Sequence, residues 1–304
     1  MKDIDPLTLR LFVTVVEERS IARAAVRMNI AASAISKRIG DLEIELDTAL
    51  LIRRAKGVEP TAAGETLFHH AQSLFAIQER LRGEMSEFAR GVRGHVRISA
   101  NTSSIVQFLP QELAAFLAAC PGIRVQLHEE TSRETIRQVQ SGVADLGIVA
   151  ASVPAGPLET IAYRQDRICV LARRDHALAG RAEVAFEETL GFEQVGLQEG
   201  SSLQAQVLQA AADLGRELRL TIRVASFDAL RHMVQSGLGI GFLPEACILP
   251  YGDAMGLGAV RLTDRWAFRS LSICTRHAES LPVAAQLLLR HLTQGPQQPP
   301  LNPA

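Results

Sequence analysis

The chain has 304 residues, 47% of them hydrophobic, enough for two or three compact units with real cores. A charged fraction of 21% excludes an intrinsically disordered chain, and no apolar run reaches the roughly 18 residues that a membrane-spanning helix needs. The net charge of −1 argues neither for nor against a polyanionic partner, so charge has to be read locally. Early acids and the lack of an apolar core around Met1-Lys2-Asp3-Ile4-Asp5 argue against a secretory leader, so a cytoplasmic location is expected. Cys120, Cys169, Cys247 and Cys274 stand far apart, without the spacing of a zinc knuckle or redox pair, and are expected to be buried and reduced.

In chain order, Leu7, Leu9, Leu11, Phe12, Val15 and Val16 fall at helical spacing and predict a first helix over 5–18. Ser20 caps a second, Ile21 to Met28, and Asn29-Ile30 breaks it. A third helix over 32–45 carries an apolar stripe of Ile35, Ile39, Leu42 and Leu46. Its opposite face presents Ser33, Ser36, Lys37 and Gly40. Two short helices joined by a tight turn, the second polar outside, make a helix-turn-helix. From Arg19 to Arg38 every charged residue is a base: Arg19, Arg23, Arg27, Lys37 and Arg38. Such segregation is what phosphate binding requires, although a solvated helix face would look the same. Arg53-Arg54-Ala55-Lys56-Gly57 reads as a basic turn or as the wing of a winged helix.

Pro60-Thr61 opens a long helix, with Thr61 as its N-cap. Leu67, Ala71, Leu74, Gln78, Leu81, Met85 and Phe88 form a heptad seam along it. A second copy of the chain would bury that seam; packing on the chain's own domain would do so too. After Gly91 and Gly94 short apolar runs alternate with helical segments. Strands are expected at 96–98, 125–127 and 145–149, with helices at 104–117 and 133–140 between them. This is βαβαβ, an open parallel α/β sheet. A second set follows: strands at 168–171, 194–197, 223–224 and 239–242, with helices at 203–214 and 229–236. Strands near 260–262 and 271–274 precede a last helix over 283–292, and the Pro- and Gln-rich stretch 295–304 is expected to be disordered.

The run Ser20-Ile21-Ala22-Arg23-Ala24-Ala25, followed by Met28-Asn29-Ile30, Ala34-Ile35-Ser36 and Ile39-Gly40-Asp41-Leu42-Glu43, resembles the DNA-binding signature of the LysR-type transcriptional regulators. Leu50-Leu51-Ile52-Arg53-Arg54 and Pro60-Thr61-Ala62-Ala63-Gly64 continue it in register. Phe108-Leu109-Pro110, Gly142 to Ile148 and Gly237 to Pro244 are also similar to the family. The resemblance implies an α plus α/β architecture. A winged helix-turn-helix (1–59) precedes a linker and dimerisation helix (60–91) and a two-lobed effector domain (92–294) like the periplasmic binding proteins. Lobe I would hold about 92–162 and 267–294, lobe II about 163–266. Three positions depart from the pattern. Ala32 stands where the family often has Gln, removing one adenine contact. Leu51 replaces a common Phe, and Asp47 a common Gly, which predicts a left-handed turn.

Ligands of open α/β sheets sit beyond the carboxyl ends of the strands. There stand Asn101-Thr102-Ser103-Ser104, Thr131-Ser132 and Gly200-Ser201-Ser202, each opening a helix. Helix N-termini offer free N–H groups, and hydroxyls add neutral donors, so a small carboxylate is the expected effector. Ordinary helix capping is the plainer role for the same residues. Phe242 and Pro244 belong either to the pocket or to the core. The DNA-contacting candidates are Ala32, Ser33, Ser36 and Lys37 for bases, and Arg23, Arg38, Arg53 and Arg54 for phosphates or the minor groove. Expected partners are double-stranded DNA, a second copy of the chain (and by resemblance a tetramer), the small effector and RNA polymerase; no cofactor, metal or membrane is expected.

An enzyme is disfavoured. His69-His70 has no metal spacing, and no GxSxG elbow, P-loop or Rossmann glycine run is present. Gly237-Leu238-Gly239-Ile240-Gly241 precedes Phe-Leu-Pro and not a helix, which weakens a phosphate-cradle role. A solute-binding protein could use the same α/β lobes, but the N-terminal helix-turn-helix and the lack of an export signal speak against it. An architectural DNA-binding protein without a ligand would have little use for so large a two-lobed domain.

Overall fold

The computed structural model describes residues 4–54, 57–90 and 94–294; within the long helix, side chains are described only to Gln78 and at Leu81. Lys56, Gly91, the side chains of Met85 and Phe88, residues 1–3 and the stretch 295–304 therefore lie outside the described residues. The chain forms two compact units, the first reaching Ser86 and the second beginning at Glu87.

In the first unit α1 is Pro6–Glu18, α2 Ile21–Met28 and α3 Ala32–Glu45. Asp5 accepts the backbone N–H groups of Leu7 and Thr8, and Ser20 accepts that of Arg23, so α1 and α2 start where an oxygen takes up orphan donors, whereas α3 follows Ala31 without a side-chain cap. Arg19, Asn29 and Asp47 adopt positive φ, the last as the family resemblance implies. Leu11, Phe12, Val15, Ala24, Ile35 and Ile39 fill the core. Full burial of each large side chain contributes roughly 1.5–3 kcal/mol. The basic segment forms a hairpin, β1 Leu51–Arg54 and β2 Gly57–Pro60, and not a plain turn. Gly57 lies at φ +141° with the Arg19 carbonyl oxygen 2.5 Å from where a Cβ would stand, and Val58 donates to that same oxygen. Only glycine admits this approach.

The long helix α4, Ala62–Arg90, begins after Thr61, whose Oγ1 accepts Gly64 N–H at 3.0 Å. Its seam is not uniform. Leu67 and Ala71 pack into the core of their own unit, while Leu74 and Leu81 are exposed, as is Ile77 beside the seam. The first two seam positions thus belong to the fold of the chain itself.

In the second unit β3 (Gly94–Ala100), β4 (Ile123–Glu129) and β5 (Leu146–Ala150) are parallel neighbours. The expected helix over 104–117 is two, α5 Thr102–Gln107 and α6 Leu109–Ala119. Phe108 leaves helical geometry between them, and Pro110 has no N–H to continue the ladder. Helix α7 is Ser132–Gln140. Strand β6, Glu159–Arg173, is far longer than the four residues its apolar run predicts. Beyond it come β7 Glu183–Val184, α8 Phe186–Thr189, β8 Gln194–Leu197, α9 Ser202–Asp213, β9 Leu220–Val224, α10 Phe227–Gln235 and β10 Gly241–Pro244. The chain continues with α11 Leu249–Met255, β11 Leu257–Leu262, β12 Phe268–Thr275 and α12 Val283–Gln294.

The main sheet runs β4-β3-β5-β12-β6-β11-β7, with β10 also on β6. The three strands expected to be parallel are so, but the sheet as a whole is mixed: β12 is antiparallel to β5 and β6, and β6 to β10 and β11. The first half of β6 pairs with β12 and its second half with β10 and β11, so this strand passes between two cores. One core gathers around Val96, Ile98, Leu146 and Leu288, the other around Ile168, Val170, Phe186 and Leu243.

Candidate functional site

The carboxyl ends of four strands surround a cavity of 380 Å³. After β3 come Asn101, Thr102 and Ser103; the end of β4 brings Glu129, Glu130, Thr131 and Ser132. From the other side Gln198, Ser201 and Ser202 follow β8, and Ala225 and Phe227 follow β9. The predicted Thr102, Ser103, Ser132, Ser201 and Ser202 are therefore brought together, although they come from three distant segments. Thr131 Oγ1 accepts Glu134 N–H at 3.3 Å and Ser201 Oγ accepts Gln204 N–H at 3.3 Å, so capping and lining the cavity coexist in one residue.

Three other expected residues do not line this cavity. Ser104 is fully buried and spends its hydroxyl on Asn101, donating to its Oδ1 at 2.6 Å. Gly200, at φ +92°, supplies the turn before Ser201. Phe242 packs in the core against Phe186, ring centroids 5.6 Å apart, because β10 lies on β6 and turns this side chain inward. Pro244, two residues on, also ends β10 as a buried residue.

Sequence reasoning missed what stands behind the serines. Arg269 of β12 and Asp166 of β6 form a buried ion pair, each side chain 3% exposed, with Arg269 Nε 2.8 Å from Asp166 Oδ1. Arg269 Nη2 also donates to Ser103 Oγ at 3.1 Å, and Gln107 Nε2 donates to Asp166 at 2.8 Å. The partners are 103 residues apart, and no local pattern announces them. Glu129 and Glu130 are legible in the sequence only as neighbours of Thr131-Ser132; the cavity they enter is not.

Burial pushes the thiols of Cys169, Cys247 and Cys274 up to about 12, which suits inert core residues. Among the described residues no cluster of three or more His, Cys, Asp or Glu is arranged to hold a metal, and no helix is long and apolar enough to cross a membrane.

On the first unit, Ser33 and Lys37 are exposed on the side of α3 away from buried Ile35, Ile39 and Leu42, while Ala32 is exposed at the first residue of the helix and Ser36 is half-buried. The arginines differ in their engagements. Arg23 donates to the Glu18 carbonyl, Arg38 pairs with Asp5 at 2.8 Å, and Arg54 pairs with Glu59 at 2.7 Å. Arg53 and Lys37 have no ionic partner among the described residues.

Two family descriptions match this chain. Residues 7–65 match "Bacterial regulatory helix-turn-helix protein, lysR family", and residues 89–297 match "LysR substrate binding domain". The chain belongs to the LysR family and is a DNA-binding transcriptional regulator with an effector-binding domain. Among its relatives is the HTH-type transcriptional regulator CysL of Bacillus subtilis, 25% identical over 79% of this chain and 80% of CysL. The HTH-type regulator YfeR of Shigella flexneri is 29% identical over 92% of this chain and 90% of its own. In fold, the crystal structure of the LysR-family regulator CbnR aligns with a TM-score of 0.70 at 20% identity, covering 97% of this chain and all (100%) of CbnR. Full-length CbnR complexed with its target DNA aligns at 0.68 with 21% identity, over 95% of this chain and 99% of CbnR.

Proposed function

We propose that this regulator is a cytoplasmic, non-enzymatic protein whose promoter output is set by a small carboxylate held in the cavity at the strand ends. The observation that carries the DNA-binding half is the outward face of α3, with Ser33 and Lys37 exposed opposite a fully buried Ile35 and Ile39. A helix so presented enters the major groove with its N-terminal residues nearest the bases. Ala32, Ser33, Ser36 and Lys37 are assigned to base edges, and Arg23, Arg38, Arg53 and Arg54 to phosphates or the minor groove. Binding would exchange the Glu18 carbonyl that holds Arg23 and the acids that hold Arg38 and Arg54 for phosphate oxygens. That exchange returns less free energy than contact by an unpaired base such as Arg53.

The proposed division is 1–59 for DNA binding, 60–91 for the linker and 92–294 for the effector domain. Exposed Leu74, Ile77 and Leu81 on α4 support a dimer through this helix, and CbnR's complex with target DNA supports the placement of such regulators on a duplex. A tetramer through the effector domains and contact with RNA polymerase complete the assembly. An effector that prefers one lobe arrangement would shift the angle between dimers and so the bend of the DNA.

The test is footprinting of the purified protein on its own upstream intergenic region. Salt-sensitive protection of an interrupted palindrome is expected. Arg53→Ala should weaken binding to all sequences and reduce the slope of log affinity against log salt by about one per protomer. An unchanged slope removes Arg53 from the interface, and no binding at low salt removes that region as the operator.

A further inference from the structure

We infer that the occupant of the cavity is a small zwitterion, a molecule carrying both a carboxylate and an ammonium group; this rests on the effector reading above. Two of its lining hydroxyls are already used as acceptors. Ser103 Oγ, in a residue 5% exposed, accepts a hydrogen bond from Arg269 Nη2 at 3.1 Å. Ser132 Oγ, in a residue 1% exposed, accepts one hydrogen bond from Ala150 N at 3.1 Å and another from Asn101 Nδ2 at 3.4 Å. Neither hydroxyl proton has an acceptor among the described residues, so both hydroxyls can still donate; Ser132 Oγ has used both of its lone pairs, while Ser103 Oγ keeps one. A buried donor left without a partner is costly, and the cavity is where its acceptor belongs. The starts of α7 and α9 stand on the same walls and add the positive ends of their dipoles. This side of the cavity calls for an anionic oxygen.

The remaining charge has the opposite sign. Glu129 and Glu130 line the same cavity, and among the described residues no Lys, Arg or His does. Each is met only by a neutral donor, Glu129 by Thr102 Oγ1 at 2.6 Å and Glu130 by Gln138 Nε2 at 3.3 Å. The nearby guanidinium of Arg269 is neutralised by Asp166. A simple carboxylate would satisfy the serines but face two uncompensated negative charges, and a simple amine would leave the serine protons without acceptors. A neutral polyol would meet the donors yet gain nothing from the acids beyond hydrogen bonds available in water. One molecule with its carboxylate toward Ser103 and Ser132 and its ammonium toward Glu129 and Glu130 satisfies both walls. The volume of 380 Å³ suits a molecule of amino-acid size.

Isothermal titration of the full chain with the twenty proteinogenic amino acids, followed by the 2-hydroxy and N-acetyl counterparts of the best binder, tests this. At least one free amino acid should bind, and replacing its ammonium should weaken binding by about tenfold or more, the loss of a charge-assisted hydrogen bond. Glu130→Gln together with Glu129→Gln should weaken the amino acid by a similar factor and leave the hydroxy acid unchanged, whereas Ser132→Ala should weaken both. Equal affinity for the amino and hydroxy acids, indifference to the double glutamine variant, or no binding by any of the twenty overturns the zwitterion. Ser202→Trp, a half-buried rim position, tests the site separately. A ligand that binds this variant unchanged lies elsewhere, and the cavity itself would then be wrong.

Discussion

Asp166→Ala leaves the Arg269 guanidinium buried with its two strongest hydrogen bonds gone. Both side chains are 3% exposed, so water cannot replace the lost carboxylate, and Gln107 loses its acceptor as well. Breaking a buried pair by removing one partner costs about 3–5 kcal/mol. For a unit of this size each kcal/mol moves the midpoint of thermal unfolding by roughly 2–4 °C, so the effector-domain transition should fall by roughly 6–20 °C. Replacing both partners, with Asp166→Leu and Arg269→Met, should restore most of that loss, because no charge is then left to desolvate. Differential scanning calorimetry of the wild type, Asp166→Leu, Arg269→Met and their double variant forms the cycle, with Asp166→Ala measured beside it. A fall under about 2 °C for Asp166→Ala would show that the pair is hydrated or replaceable. A double variant as unstable as the single would show that shape, and not charge, is what the site requires. The pair spans β6 and β12 and holds Ser103, so Asp166→Ala should also disturb ligand binding in samples kept below the lowered midpoint.

Gly239 sits at φ +138° with the Glu193 carbonyl oxygen 2.3 Å from an added Cβ, so Gly239→Ala should destabilise the domain by at least about 1–3 kcal/mol. A neutral result in urea unfolding would mean that the turn rearranges freely. With burial holding Cys169, Cys247 and Cys274 up to about 12, iodoacetamide at mildly alkaline pH should label the native protein at Cys120 alone. A second adduct seen by mass spectrometry on native protein would contradict that burial. The hydrogen bonds from the Thr8 side chain and the Leu7 backbone hold the Asp5 carboxyl below its ordinary value of 3.8. Its stabilising effect is therefore complete above that value and lost as pH falls through the lowered one. Asp5→Asn should flatten this part of the acid-unfolding curve; an unchanged curve would assign the acid limb to other carboxylates.

Local chemistry settles much of the first unit. The bounds of α2 and α3 follow from Ser20, from the left-handed Asn29 and from an apolar stripe whose period only a helix can bury on one side. Asp47 at positive φ is legible only through the family resemblance, which gives that position commonly to Gly. Serines and threonines at the ends of predicted strands locate the cavity, because strand ends and helix starts are themselves sequence signals. Tertiary structure decides what depends on partners far along the chain. Leu67 and Ala71 read as a dimer seam but are covered by their own unit, since periodicity shows that a face is buried and not by what. Phe242 belongs to the core because β10 happens to lie on β6. Antiparallel β12 and the long β6 make the sheet mixed, and pairing direction leaves no trace in a short apolar run. The buried Arg269–Asp166 pair and the acids facing the serines across the cavity exist only once strands from distant parts of the sequence are brought together, and electrostatic fit is a property of that juxtaposition.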